Sequence, residues 1–189
     1  MSFRIGVISD THGDLAGWHR ALSGPLGRVD CIVHAGDLLY HGPKNPMVAG
    51  YDPAGLAEAM NALDVPLIVA KGNCDSAVDQ LVLRAPIQSP YAFLQMEGLR
   101  VLVHHGDGLT EADRRTLGEQ WAIDVFVTGH THARLLERVG KTIMLNPGSP
   151  ALPKSDGTLD PVPTVATVEP QRVRIWSLES GEAVCDLAR

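Results

Sequence analysis

Short apolar runs recur along the chain, and most are followed at once by a polar, glycine-containing turn. Phe3–Ile8, Cys31–Val33 and Leu67–Ala70 are apolar enough throughout to predict strands buried on both faces. Between them the apolar positions change to helical spacing. Leu15, Trp18, Ala21 and Leu22 predict a helix over Asp14–Leu22, ended by Gly24-Pro25, and a second helix is predicted over Ala54–Leu63. Strand, helix, strand, helix, strand in this order predicts a parallel sheet with right-handed crossovers.

The second half has a different pattern. Tyr91–Met96 and Leu99–Val103 flank Glu97-Gly98, a hairpin signal. Thr110–Gln120 is a polar helix, with Thr110 as its cap and Asp113 three residues on. Ile123–Thr128 is a further buried strand. Strands are also predicted at Ala133–Val139, Thr142–Asn146, Thr164–Val168, Val173–Leu178 and Ala183–Leu187, and a short helix at Ser76–Gln80. Residues 40–53 and 147–163 are rich in Gly, Pro and small polar residues and are expected to be surface loops. The expected fold is α/β: a two-sheet mixed β sandwich flanked by helices, parallel in its first half and more antiparallel in its second. One domain is expected over residues 1–189.

Composition narrows the classes. The chain has 189 residues, 44% hydrophobic and 20% charged, with a net charge of −6, which excludes disorder as its main state. Lys and Arg total 16 against 22 Asp and Glu with no basic stripe, so stable nucleic-acid binding is not expected. Cys31, Cys74 and Cys185 form no C-x-x-C pair, which argues against a disulfide framework and a thiolate zinc site. No apolar run approaches the ~18–20 residues of a spanning helix, and Met1–Val7 lack a signal-peptide pattern. The expectation is a soluble cytoplasmic protein with no membrane partner, open to homo-oligomer formation. Trp18, Trp121 and Trp176 are expected in the core.

The histidines carry the chemistry. Asp10 and His12 follow the first strand, and His130 and His132 repeat the same spacing after Ile123–Thr128. Residues i and i+2 of an extended chain share a side, so each pair can aim two ligands at one point. Asp37, Asn73 and His105 follow three other strands, and Gly36, Gly72, Gly106 and Gly129 stand beside these polar positions. Ligands of open α/β sheets bind outside such strand ends. Any one cluster would serve equally as a turn or a helix N-cap. Five at five strand ends have no structural reason to coincide. Asp, His and Asn without thiolate suit Mn²⁺, Fe²⁺ or Zn²⁺. Seven donors exceed what one tetrahedral ion needs, and Asp37 is the natural bridge between two ions, since its two oxygens allow one to each.

The order D-x-H, G-D, G-N-x-D, H-G, G-H-x-H resembles the signature of the calcineurin-like metallophosphoesterases over nearly the whole chain. Asn45-Pro46, Gly72-Asn73-Cys74-Asp75 and Asn146-Pro147-Gly148-Ser149 look like the small bacterial phosphodiesterases of that superfamily, which share their fold with a retromer subunit. The resemblance implies a four-layer α/β/β/α fold and two divalent ions, Mn foremost, with Fe, Zn or Ni as alternatives. It implies one ion held by Asp10, His12, His132 and bridging Asp37, and a second by Asn73, His105, His130 and Asp37. The implied reaction is hydrolysis of a small phosphate ester, a phosphodiester foremost, by a hydroxide bridged between the ions. Asn73 and Asp75 are the implied catalytic residues, and His41 and Asn73 the implied substrate contacts. His104 is expected to be a buried neighbour of the site. Two departures stand out: Cys74 occupies the position of the general-acid histidine found in other members, and Asp107 stands where close relatives show histidine. The alternative from another class is a non-catalytic interaction scaffold, the role of the retromer subunit. An amidohydrolase or metallo-β-lactamase would also use an H-x-H pair, but the late position of His130-x-His132, with Asp10-x-His12 and Gly72-Asn73, argues against both.

Overall fold

A computed structural model describes residues 2–155, 157, 158 and 160–189. Met1 of the N-terminal reading, and Asp156 and Leu159 of the 147–163 loop, lie outside the described residues. The strands are β1 (Ile5–Ile8), β2 (Cys31–His34), β3 (Leu67–Ala70), β4 (Ile87–Gln88), β5 (Ala92–Met96), β6 (Leu99–Val103), β7 (Val125–Val127), β8 (Leu135–Val139), β9 (Thr142–Asn146), β10 (Thr164–Val168), β11 (Arg172–Ser177) and β12 (Ala183–Ala188). The helices are α1 (Leu15–Ser23), α2 (Pro53–Asn61), α3 (Asp79–Val82) and α4 (Glu111–Gln120).

Two sheets form, in the orders β12-β11-β10-β1-β2-β3-β4 and β5-β6-β7-β9-β8. Strands β1 to β4 are mutually parallel, and β10 joins the first sheet antiparallel to β1. In the second sheet β6, β7 and β9 are parallel, with β5 and β8 antiparallel at its edges. Three of the late strands, β10, β11 and β12, complete the first sheet, antiparallel as expected of the second half.

The near-continuous apolar runs have a direct cause: each central strand is covered on both faces. Ile5, Val7, Val33, Val101, Val125 and Leu145 meet between the sheets. The alternate residues Ile8, Ile32 and Val69 pack against Trp18 and Ala21 of α1 and Leu56 and Met60 of α2. On the far side Leu102, Phe126 and Met144 pack with Leu117 of α4. These three clusters define the layers α/β/β/α. Thr110 and Asp113 form a full capping box at the start of α4.

Three expectations need correction. The short helix begins at Asp79, not Ser76, because Asp79 Oδ2 accepts the Ser76 N–H at 2.6 Å and Asp75 is engaged elsewhere. The two-residue β4 has too little sequence to leave a pattern. Trp18 is fully buried, but Trp121 is 43% exposed, with Tyr91 edge-on to it. Trp176 is half-buried between Arg4 and Arg174, its indole N–H donating to Thr167 Oγ1. No helix among the described residues is long and apolar enough to cross a membrane.

Phe126 is fully buried at the centre of the α4-side cluster. Phe126→Ala is expected to lower stability by about 3–5 kcal/mol, read as a lower urea midpoint with an unchanged m-value. A loss under about 1 kcal/mol would mean that this layer is not a packed core.

Candidate metal centre

The ends of β1, β2, β3, β6 and β7 deliver Asp10 and His12, Asp37, Asn73, His105, and His130 and His132 to one place. They do not arrive by the extended geometry expected of an i, i+2 pair. Asp10 (φ 55°), His12 (45°), Asp37 (59°), His130 (68°) and His132 (60°) all lie in the left-handed region. Glu97 and Ala122 are the other non-glycine residues described there. That conformation is unfavourable for most side chains and collects at functional sites. Here it turns the chain sharply after β1, β2 and β7.

Two glycines matter by close approach rather than by φ. A Cβ on Gly72 would overlap the Asp37 carboxylate and N–H, and one on Gly129 would overlap Ser9 and Asp10. Gly36 and Gly106 have φ 99° and 109°, as their place in the turns predicts.

The hydrogen bonds fix the histidine tautomers. His12 Nδ1 lies 2.8 Å from Tyr40 O, His132 Nδ1 2.8 Å from Leu152 O, and His105 Nδ1 2.8 Å from Ala35 O. A carbonyl only accepts, so each Nδ1 carries the proton, and the neutral rings of His12 and His132 turn a bare Nε2 inward. His12 Nε2 and His132 Nε2 face each other at 3.1 Å. Two lone pairs at that distance repel unless a cation lies beside them. A proton is a poor candidate for that cation, because burial holds both rings below the ordinary histidine range, His132 at about 4. Asp10 Oδ1 is 3.4 Å from His132 Nε2 and 3.9 Å from His12 Nε2, and Asp37 Oδ2 is 3.7 Å from His12 Nε2.

The second group adjoins the first. His105 Nε2 lies 3.4 Å from Asp37 Oδ2 and 3.0 Å from Asn73 Oδ1, and His130 Nδ1 lies 2.8 Å from the same Asn73 oxygen. Asp37 thus faces both groups through one oxygen, Oδ2. Its Oδ1 accepts the Cys74 N–H at 2.7 Å. Asp10, Asp37 and His105 also converge, and Asp10 accepts the His130 N–H and the Ser9 hydroxyl.

The carboxylates and imidazoles of the centre set one another's charge. Burial lifts Asp10 to about 7 despite the opposing charge of His105. Burial opposes ionisation of Asp37 too, but His105 and the Cys74 N–H outweigh it and hold Asp37 below the carboxylate range. Burial disfavours the His105 cation, yet Asp37 and Asp10 raise it to about 9. One ring takes up a proton because the cluster demands positive charge, the role a divalent ion fills when bound. Oxygen and imidazole donors held from behind by backbone carbonyls fit such an ion.

A family model described as the calcineurin-like phosphoesterase superfamily domain matches residues 3–172. The chain belongs to that superfamily. It is 37% identical over 152 residues to the phosphodiesterase YfcE of Escherichia coli K12, covering 80% of this chain and 81% of that protein. It is 30% identical over 187 residues to a probable metallophosphoesterase of Methanothermobacter thermautotrophicus, covering 96% and 95%. The solved structure of the E. coli phosphoesterase YfcE superposes with a TM-score of 0.83 at 28% identity, covering 98% of both chains. Vps29 of Entamoeba histolytica, solved with Zn²⁺, has the same fold at 21% identity and a TM-score of 0.65. A phosphoesterase fold is therefore established for the chain, and the superfamily implies divalent metal at this cluster.

Two residues expected at the substrate, Asp75 and His41, make other contacts in the structure. Asp75 is buried, its oxygens filled by three backbone N–H groups: Asp37 and Gly72 on Oδ2 at 2.9 and 2.7 Å, and Leu38 on Oδ1 at 2.7 Å. It clamps the β2 and β3 turns together instead of facing substrate. The His41 ring stands edge-on among Tyr40 and Tyr51, its Nδ1 3.4 Å from the Tyr51 hydroxyl, while the adjacent Gly42–Asn45 line the cavity. That cavity, about 330 Å³, lies over Asp37, Asn73, Cys74, His130 and His132. Lys44 and Lys154 also line it. Neither lysine carries a signal in the sequence that would single it out, although Lys154 follows closely on the Asn146–Ser149 motif. A larger cavity of about 560 Å³ by Tyr40, Tyr51 and α2 holds none of the expected ligands.

Supporting residues are likewise hidden in the sequence. Ser149 Oγ donates to Asp10 O, and Asn146 Nδ2 donates to Gly129 O and Thr131 Oγ1. His104 is buried against Tyr91, its Nδ1 accepting the Gly106 N–H. His34 is fully buried, its Nδ1 accepting the Gly36 N–H and its Nε2 donating to Thr11 Oγ1, whose own proton goes to Leu38 O.

Asp75→Asn replaces an acceptor by a donor facing N–H groups, and is expected to lower stability by about 1–3 kcal/mol in urea. A stable variant that loses only the basic limb of a pH–rate profile would instead mark Asp75 as the catalytic acid. For His34, burial lowers the folded pKa from 6.5 to about 3. The unfolded ring binds its proton first, so this contribution to stability is complete above about pH 6.5 and is lost progressively down to about pH 3. By pH 5 the loss is about 2 kcal/mol. Urea unfolding of metal-free protein at pH 7 and pH 5, set against His34→Asn, measures it: equal pH slopes in the two proteins would contradict the assignment.

Proposed function

We propose that the chain is a phosphodiesterase whose centre comprises two adjoining divalent-ion sites sharing Asp37. Asp10, His12 and His132 complete one site, and Asn73, His105 and His130 the other. The facing lone pairs of His12 and His132 carry this reading, because only a cation makes that contact favourable. Mn²⁺ suits the mixed carboxylate, amide and imidazole donors, with Fe²⁺, Zn²⁺ or Ni²⁺ as alternatives. Two such ions supply a water nucleophile of lowered pKa and neutralise charge on the phosphoryl oxygens.

The chain's own groups hold and orient. The Cys74 N–H fixes Asp37 Oδ1 so that Oδ2 stays inward. The Asn73 side chain serves twice, with Oδ1 between His105 and His130 and its amide nitrogen at the cavity, 3.4 Å from Cys74 Sγ. Where other members place a histidine acid, burial and Asp37 push the Cys74 thiol up to about 12, so it is a weak proton donor at neutral pH. Asp75 is closed off. Leaving groups that need little protonation are therefore favoured, such as those of activated diesters. The reading takes residues 1–189 as one domain acting on a small diester. Competent donors at all seven positions weigh against a scaffold-only role, since a scaffold has no need of them.

Mn²⁺-loaded protein is expected to hydrolyse bis(p-nitrophenyl) phosphate, to stop on chelation, and to recover when Mn²⁺ is restored. Asp37→Asn is expected to lose more than the ~10–100-fold that a supporting residue costs. Inert wild-type protein with Mn²⁺, Fe²⁺, Zn²⁺ and Ni²⁺ alike would overturn the reading in favour of the scaffold.

A further inference from the structure

The cavity above the centre carries more positive charge than a simple diester can use. Lys44 enters it from the loop between β2 and α2, and Lys154 from the loop between β9 and β10. Both residues are exposed, and among the described residues neither ammonium has a carboxylate within ion-pair distance. Lys154 is held in place by the metal cluster itself. Its backbone N–H donates to His132 O at 3.1 Å, His132 Nδ1 donates to Leu152 O, and Ser149 Oγ accepts the Ala151 and Leu152 N–H groups while donating to Asp10 O. Its charge is felt at His12, His130 and His132. The Lys44 loop is braced by Asn45, whose side chain donates to His41 O at 2.8 Å.

The counter-charges run out before the lysines are reached. On the two-ion reading above, on which this inference rests, Asp10 and Asp37 offset half the charge of two divalent ions. A phosphodiester monoanion and the nucleophile it meets offset the rest. Among the described residues that line the cavity, Asp37 is the one carboxylate and is already counted, and the two ammonium groups stand beside it. Asp107 does not line the cavity, although its charge is felt at His104 and at His130 on the cavity wall. Lys44 and Lys154 place positive charge on the walls formed by the two loops.

We propose that Lys44 and Lys154 bind a second anionic group on the substrate, so that the preferred class is phosphodiesters bearing a further phosphate or carboxylate rather than diesters of neutral alcohols. The two lysines then determine specificity by matching charge near the reacting phosphoryl group.

The test uses three p-nitrophenyl phosphodiesters with one leaving group and different second alcohols: methanol, 3-hydroxypropionate and ethylene glycol monophosphate. With Mn²⁺-loaded wild type, kcat/KM is expected to be at least about tenfold higher for an anion-bearing ester than for the methyl ester, and the larger of the two preferences identifies phosphate or carboxylate. Lys44→Met and Lys154→Met each lower that ratio about tenfold, the ~1.4 kcal/mol of one ion pair, chiefly through KM, and Lys154→Arg restores most of it. A binding readout stands beside the rates. Calorimetry is expected to show phosphonoacetate binding more tightly than ethylphosphonate, with the gap closing in the Met variants at unchanged Mn²⁺ content. No preference in wild type, an equal loss on all three esters, or no change in the variants would each overturn the proposal. If wild type fails on the methyl ester and on both others, the phosphodiesterase reading fails instead, and the calorimetric comparison still decides the lysines' role.

Discussion

The contact on which this structure turns is a repulsive one. His12 and His132 come from different sheets, each with its Nδ1–H committed to a backbone carbonyl, and meet with bare Nε2 atoms 3.1 Å apart. In a stable interior such pairs are avoided, since each buried polar atom seeks a donor. Left-handed backbone at five of the donor residues adds further cost. A divalent cation bound there would turn the repulsion into coordination, and the surrounding scaffold holds the side chains in place.

That scaffold is a set of clamps between turns. Asp75 gathers the N–H groups of Asp37, Leu38 and Gly72, tying the end of β2 to the end of β3. Ser149 and Asn146 tie the β9–β10 loop to Asp10 and Gly129, and so join the two sheets at the site. Gly72 and Gly129 let backbone approach where a methyl group would collide. These residues fix where the chemistry can occur. They also explain why the cavity above Asn73 and Cys74 is bounded by Lys44 and Lys154, each carried on a loop braced close to the cluster.

Much of this is legible in the chain. Central strands such as β1 and β7 are covered on both faces, so their runs are apolar throughout and stand out. The donor positions are polar residues at the ends of those runs, so Asp10, His12, Asp37, Asn73, His105, His130 and His132 can be picked out, and the structure brings all seven together. Tertiary effects are not legible. Asp75 beside Asn73 looks the same on paper whether it faces substrate or three N–H groups. His41 looks available until Tyr40 and Tyr51 close on its ring. The orientation of the Asp37 carboxylate depends on the Cys74 N–H, and a backbone donor leaves no trace in a sequence. Lys44 and Lys154 stand far apart in the chain, on loops of different sheets, so only the fold could bring them to one cavity.

The central claim is that this cluster is two ion sites joined by one carboxylate oxygen, and the most direct measurement is anomalous diffraction from crystals of Mn²⁺-loaded protein at the manganese edge. Two separate peaks are predicted, one beside His12 Nε2 and His132 Nε2 and one beside His105 Nε2 and Asn73 Oδ1, with Asp37 Oδ2 between them and Oδ1 still accepting the Cys74 N–H. A single peak, or Asp37 giving one oxygen to each ion, would contradict it.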